Sequence, residues 1–153
     1  MPDNFKDIAN NKKARFEYEI LETFEAGIVL KGTEVKSLRE GKTNISDAYA
    51  KIRNGEIFIH QMNISVYKFG NIHNHDPQAV RKLLMHKKEI KKLTGKINEK
   101  GYTVIPLKIY FKNGLVKLLI GLGRGKALYD KRQDLKKKDA TRDLQRIMKN
   151  VNK

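Results

Sequence analysis

Along much of this chain, hydrophobic residues recur at every second position. In "RFEYEILETFEAGIVL" (15–30), Phe16, Tyr18 and Ile20 alternate with charged residues, Phe24 follows, and Ile28-Val29-Leu30 closes the run. That pattern predicts two strands with a bend around Glu25-Ala26-Gly27. "KGTEVKSLREGK" then offers Thr33 as a helix N-cap, Val35 and Leu38 on one face, and Gly41 as a stop, which makes a short helix. The segment 49–60 reads as a hairpin: Tyr49 to Ile52 alternates, Asn54-Gly55 supplies a tight turn, and Ile57 and Ile59 resume the alternation. Residues 68–76 read as a polar loop. Asp76-Pro77 predicts a helix start, and one or two helices to about Lys100 would bury Leu83, Leu84, Ile90, Leu93 and Ile97. A second strand pair spans 102–111 and 115–123, joined at Lys112-Asn113-Gly114.

The expected fold is therefore mainly β with some α: a small OB-like barrel, closed or partly open, with about three helices. A sheet of this size needs its edges covered, which favours closure; an open α+β sheet is the alternative. Residues 1–10 are polar and predict a flexible N-terminus, leaving 11–124 as the barrel and 125–153 as a basic tail. From Asp130 onward nine Lys/Arg face four Asp. Ala140, Leu144, Ile147, Met148 and Val151 make a stripe too narrow to hold a helix alone. The tail is expected to be disordered when free and helical on a partner; a helix docked on the barrel is the alternative.

Charge narrows the function. Thirty-three Lys+Arg against seventeen Asp+Glu give +16 over 153 residues, with a pI near 10.0. Such an excess points to a polyanion, because releasing counterions from phosphates rewards basic side chains. There is no cysteine, so disulfides and thiolate metal sites are excluded. The N-terminal residues have no apolar signal core, and no later stretch is apolar enough to span a bilayer. The expectation is a cytoplasmic protein with no membrane partner.

Catalytic and nucleotide motifs fail on spacing. In "GLGRGKALYDKR" (121–132), taking Gly125-Lys126 as a P-loop pair puts Ile120 where glycine is needed and Ala127 where a hydroxyl is needed. A dinucleotide fingerprint starting at Gly121 meets Lys126 instead of its third glycine. His73 and His75 lie in a polar loop, His60 falls in a strand, and the pairs Glu17/Glu19 and Glu22/Glu25 have no nucleophile motif beside them. The reading is a binding protein, not an enzyme, with no metal and no cofactor. What remains is basic clusters with interleaved aromatics: Lys12-Lys13-Ala14-Arg15-Phe16, Lys36 with Arg39, Arg81-Lys82, His86-Lys87-Lys88, and Arg124 with Lys126. Together they suit structured RNA, where shape and phosphate contacts outweigh base reading.

The segments "NKKARFEYEI" (11–20), "FEAGIVLKGTEVKSLREGK" (24–42), "NISDAYAKIRNGE" (44–56), "RKLLMHKKEI" (81–90), "GYTVIPLKIYFKNG" (101–114) and "GRGKALYDKR" (123–132) carry a resemblance in order along the chain. They resemble the SsrA-binding, or small protein B, family, the bacterial partners of transfer-messenger RNA. The resemblance implies an OB-type barrel that holds the tRNA-like domain of that RNA and delivers it, with elongation factor Tu, to ribosomes stalled without a stop codon. It also implies an RNA-binding face that includes Asn11, Glu25 and Leu84, although helical spacing leaves a core role open for Leu84. Gly125-Lys126 matches the joint between barrel and tail. Tyr129-Asp130-Lys131-Arg132 matches the part placed in the small-subunit decoding centre, with the tail a helix in the empty mRNA channel. Phe16 stands where many members carry histidine; it can stack on a base or ribose but lacks the polar contact. A ribosomal or tRNA-binding barrel without a rescue role is the alternative function.

Overall fold

The computed structural model describes residues 4–70, 74–99 and 101–125. Nine strands and three helices occur among them: β1 (Phe5–Asn10), α1 (Lys12–Glu17), β2 (Tyr18–Ile28), α2 (Gly32–Arg39), β3 (Thr43–Asn44), β4 (Tyr49–Arg53), β5 (Glu56–His60), β6 (Asn63–Ile64), β7 (Arg81–Leu84), α3 (Lys87–Ile97), β8 (Tyr102–Lys112) and β9 (Leu115–Gly125). The main sheet runs β1-β8-β4-β5-β7-β2-β9, and β9 pairs back onto β8, so six strands close into a ring of antiparallel neighbours. The expected mainly-β, closed sheet with three helices is what forms. Its two long hairpin-type turns follow from sequence: Asn54-Gly55 and Asn113-Gly114 all have positive φ, between 52° and 83°, as tight two-residue turns between twisted strands require.

β8 joins the structure together. Along one edge it pairs with β9 from Leu115 to Arg124; along the other, its first half meets β4 at Ala50↔Val104 and its second half meets β1 from Lys108 to Lys112. The interior is filled by Ile57, Ile59, Leu83, Ile109, Leu118 and Ile120, none of them with measurable exposure beyond 1%. Gly121 belongs to this packing, since a Cβ there would stand 2.8 Å from Leu107 Cδ1. The two strands cross closely only because position 121 has no side chain.

Five local expectations are corrected. Residues 5–10, expected to fray, form β1, because the outer edge of β8 supplies backbone partners that a polar segment can use; Ile8 and Ala9 also pack on the core. Lys12–Glu17 is a helix, not a strand: the Asn11 side chain accepts the Ala14 N–H at 2.9 Å, and only Ala14 of that turn is buried. The bend expected at 25–27 is absent; β2 is one strand along β9, with its irregularity between Ile20 and Glu22. The helix expected from Asp76-Pro77 is instead a turn, in which Asp76 Oδ1 accepts the Gln78 N–H at 2.9 Å, followed by β7 and only then α3. β7 fills the gap between β5 and β2, pairing Leu83 with Ile57 and Leu84 with Gly27, so the ring closes through it. Helix α2 begins one turn-residue before Thr33: Glu34 accepts the Lys31 N–H at 2.7 Å, and the Thr33 hydroxyl meets His75 Nδ1 at 2.9 Å. Among the described residues no helix is long and apolar enough to cross a membrane. Lys126, Tyr129, Asp130, Lys131, Arg132 and the tail stripe lie outside the described residues, as does His73.

Candidate nucleic-acid interface

Antiparallel register gathers one mixed surface on the outside of the ring. Gly27 of β2 lies opposite Leu84 on one side and Lys117 on the other, and Lys117 lies opposite Tyr110. Because Gly27 has no side chain, the Leu84 Cβ sits 3.3 Å from where its Cβ would be, with Lys117 Nζ at 3.8 Å. Leu84 is 53% exposed, so the core role its spacing allowed is not the one it has. Lys82, two residues earlier on the same side of β7, is exposed and paired with Glu56. Glu25 reaches Tyr110 Oη, which donates to it, and Lys112 Nζ at 3.2 Å. The Tyr110 hydroxyl, followed by Lys112, holds the Glu25 carboxyl below the ordinary carboxylate range, against the opposing effect of burial. Burial, and then the same hydrogen bond, pushes the Tyr110 phenol up. The face is thus a fixed carboxylate among ammonium groups, bordered by an exposed leucine. A surface of this kind can hold phosphates and exclude water from a ribose or base edge.

The second group surrounds α1. Phe16 is 80% exposed, with Lys12, Lys13 and Arg15 exposed beside it. Lys13 is 2.9 Å from Asp47, and that partner raises its pKa. A hollow of about 290 Å³ opens between the helix and residues 46–49, lined by Lys13, Glu17, Tyr18, Asp47 and Tyr49. Tyr18 pairs with Gly125, so the end of β9 lies against the start of β2 beside α1. Arg124 binds Glu19 at 2.8 Å and lies 5.9 Å from the Tyr102 ring. Lys36, on α2, lies 5.5 Å over Tyr67.

Two of the expected contacts are turned inward. Arg81 is 3% exposed: its Nε pairs with Glu34, Nη1 donates to the Met62 carbonyl at 2.6 Å, and Nη2 to the carbonyls of Asp76 and Pro77 at 3.2 Å. That guanidinium is spent on the fold and does not reach the surface. Asn11 is 1% exposed; its amide donates to the Ile45 carbonyl at 3.1 Å and the Pro106 carbonyl at 2.8 Å while its Oδ1 caps α1. Asn11 sits where the edge of β8 passes from β1 to β4, so it fixes where α1 leaves the sheet. His75 is likewise committed, to Thr33 and to the Ile64 carbonyl at 2.8 Å, and His60 stacks on Tyr49 at 5.3 Å. The residues missed from sequence are Lys108, Tyr110, Lys112 and Lys117. Their signal is the outward phase of β8 and β9, which appears only once the register with β2 is known.

The architecture is a closed ring of strands around a filled core, with an exposed leucine and ammonium groups on its outer face. Comparison places it in a family. The chain belongs to the SmpB protein family, whose model matches residues 8–150. It is 62% identical over 148 residues to the SsrA-binding protein of Geobacter sulfurreducens, covering 97% of each chain. It is 55% identical over 148 residues to the SsrA-binding protein of Bacillus subtilis strain 168, covering 97% of this chain and 95% of that one. A chain in the solved structure described as "tmRNA-SmpB: a journey to the center of the bacterial ribosome" is similar, with 51% identity and a TM-score of 0.66 over 77% of this chain and 83% of that one. The family resemblance expected from the motifs is borne out.

Proposed function

We propose that this protein is an adaptor that binds the tRNA-like domain of transfer-messenger RNA and brings it to stalled ribosomes for trans-translation. The observation that carries the reading is Leu84, half-exposed over Gly27 between the Glu25–Tyr110–Lys112 cluster and Lys82. A leucine in that setting costs solvation in the free protein and is rewarded by a partner that covers it. Family membership, relatives named for binding SsrA, and a similar chain from a tmRNA–ribosome structure support the choice of partner. In this reading Glu25, Lys82, Leu84 and the ammonium groups of β8 and β9 meet the RNA. Lys12, Lys13, Arg15 and Phe16 extend the contact around α1, and Lys36 and Arg124 add to its charge. Asn11 and Arg81 act beneath it, holding α1 and β7 in place. No step of this work calls for a reacting group, so the protein serves as a binder, in the cytoplasm where ribosomes are.

The segment after Gly125 is assigned to the ribosome. Gly125-Lys126 would be the joint, Tyr129, Asp130, Lys131 and Arg132 would meet the small-subunit decoding centre, and the following stripe would fold as a helix in the vacant mRNA channel. Delivery with elongation factor Tu would proceed through the RNA complex. Filter binding of a tRNA-like-domain transcript against bulk tRNA, at one salt concentration, tests the reading: a clear preference for the transcript is expected, and equal affinity would overturn it in favour of a general tRNA-binding protein. Truncation after Asp130 should spare transcript binding and abolish tagging of stalled chains; loss of RNA affinity instead would refute the division of labour.

A further inference from the structure

The loop that follows β6 carries side chains the core does not use. Val66 is exposed, and Phe69 is 65% exposed. The rings of Tyr67 and Phe69 meet edge to face with centroids 5.5 Å apart. Lys68 Nζ lies 4.9 Å from the Phe69 ring, and Lys36 Nζ, from α2, lies 5.5 Å from the Tyr67 ring. Neither lysine has a carboxylate partner among the described residues. The acidic side chains of α2 and its end are used elsewhere, Glu34 against Arg81 and Glu40 3.6 Å from Lys42.

Residues 65–70 of this loop are held at several points. Asn74 Oδ1 accepts the Tyr67 N–H at 3.0 Å, its amide donates to the Tyr67 carbonyl, and the Gly70 N–H donates to that same carbonyl at 2.8 Å. The Ser37 hydroxyl donates to the Ser65 carbonyl at 2.7 Å, and the Ser65 N–H to the Lys42 carbonyl at 3.1 Å, which ties the loop to the last turn of α2 and the residues just after it. A Cβ at Gly70 would lie 2.6 Å from Asn74 Nδ2 and 3.1 Å from Thr33 Cγ2, so a side chain there would push on the Asn74 amide that holds Tyr67. A surface loop with this many backbone anchors, yet two exposed apolar side chains, is organised before any partner arrives.

We propose that Tyr67 and Phe69, with Lys36 and Lys68, form a stacking platform for one unpaired nucleotide of the same RNA that covers Leu84. Every base offers a π-face to an aromatic ring, and a flexible lysine over that ring can move to the adjacent phosphate when the base takes its place. Among the described residues, ammonium groups with no carboxylate ion-paired to them lie over these rings, which suits a polyanion and not a basic protein. The platform continues the face already described. Lys82 and Leu84 share the solvent side of β7, the Val29 N–H is bonded to the Lys82 carbonyl at 2.9 Å, and exposed Val29 leads directly into α2, which carries Lys36. An RNA that covers Leu84 and continues over Lys82 and Val29 runs toward the element that carries Lys36. The proposal rests on the RNA-binding reading of the Leu84 face.

The test uses the full-length chain and a labelled tRNA-like-domain transcript at a series of salt concentrations. Phe69→Ala should weaken binding about tenfold, with the salt slope unchanged, and Phe69→Tyr should restore it. The paired change Lys36→Ala with Lys68→Ala should flatten the salt slope by about one to two. The thermal midpoint of Phe69→Ala should match the parent, since the ring is exposed. Binding of Phe69→Ala within about twofold of the parent overturns the platform, and so does a loss that appears only against small ribosomal subunits. Leu84→Ala is the control: if it too leaves transcript affinity unchanged, the RNA-binding reading has failed, whereas silence at Phe69 alone condemns only the loop.

Discussion

Arg81 and Lys82 are neighbours in sequence and opposites in structure. Arg81 points inward, where Glu34 and three carbonyls take four of the five guanidinium N–H donors; Lys82 points out, with an exposed glutamate as its only ion-pair partner among the described residues. The same division separates Asn11 from Lys12 at the α1 corner. Two populations of polar side chain thus exist in this basic domain. One is desolvated and holds α1, α2 and β7 in register with the sheet. The other is solvated and forms the face those elements present. Net charge belongs to the second population, while the shape of the face depends on the first. A cation's contribution to binding therefore cannot be read from its presence in a basic run; strand phase decides it.

The sharpest way to break this contrast is to remove each partner in turn. Arg81→Met should cost about 3–5 kcal/mol, read by urea unfolding, because it leaves the Glu34 carboxylate buried without a counter-charge. Lys82→Ala should change stability by less than about 0.5 kcal/mol while lowering the salt slope of RNA binding by about one. Similar stability losses for the two would dissolve the distinction. Asn11→Ala comes next, at about 1–3 kcal/mol, since the carbonyls of Ile45 and Pro106 and the Ala14 N–H all lose their partner. At a temperature where the variant is fully folded its transcript affinity should drop only modestly; a complete loss there would make Asn11 a direct contact. Leu84→Ala should leave the thermal midpoint almost unmoved and still weaken RNA binding severalfold, by about 1 kcal/mol of covered surface. A lowered midpoint with intact binding would return Leu84 to the core.

Where local chemistry decides structure, the sequence was legible. The Asn-Gly pairs at 54–55 and 113–114 can take two successive positive φ values, and both hairpins lie where that predicts. Segment 77–84 misled because Asp-Pro opens a turn as readily as a helix, and "RKLL" is too short to show a period of two against the helix behind it. β1 was invisible because it is held by backbone hydrogen bonds to an edge more than ninety positions away, and hydrophobicity does not record those. Arg81 looked like its neighbours because Glu34 lies 47 residues distant. At the site, Glu25 and Leu84 came from family motifs and not from periodicity. Lys117, Tyr110 and Lys112 needed the register of β2, β9 and β8, a tertiary property no local window contains.

The Glu25–Tyr110 bond stands at the boundary between the two populations, with the Glu25 side chain 35% exposed and Tyr110 buried at 5%. Its pH dependence should show which population it joins. Glu25 titrates below its unfolded value, so its contribution is complete above the ordinary carboxylate range and is lost as pH falls through the folded value. Tyr110 titrates above its unfolded value, so its contribution is complete below the ordinary phenol range and is lost as pH rises past the folded value. Between about pH 5 and pH 9 the bond is therefore constant, and stability and transcript affinity at fixed salt should show no step from this pair. Below that window stability should fall, by less than about 1 kcal/mol from Glu25, because solvent screens a partly exposed group. Tyr110→Phe should remove most of that acid limb, since the phenol is the largest cause of the Glu25 shift, and Glu25→Gln should remove all of it. If Tyr110→Phe keeps the full limb, Lys112 and Lys117 set the charge of Glu25, and the carboxylate then belongs with the solvated face.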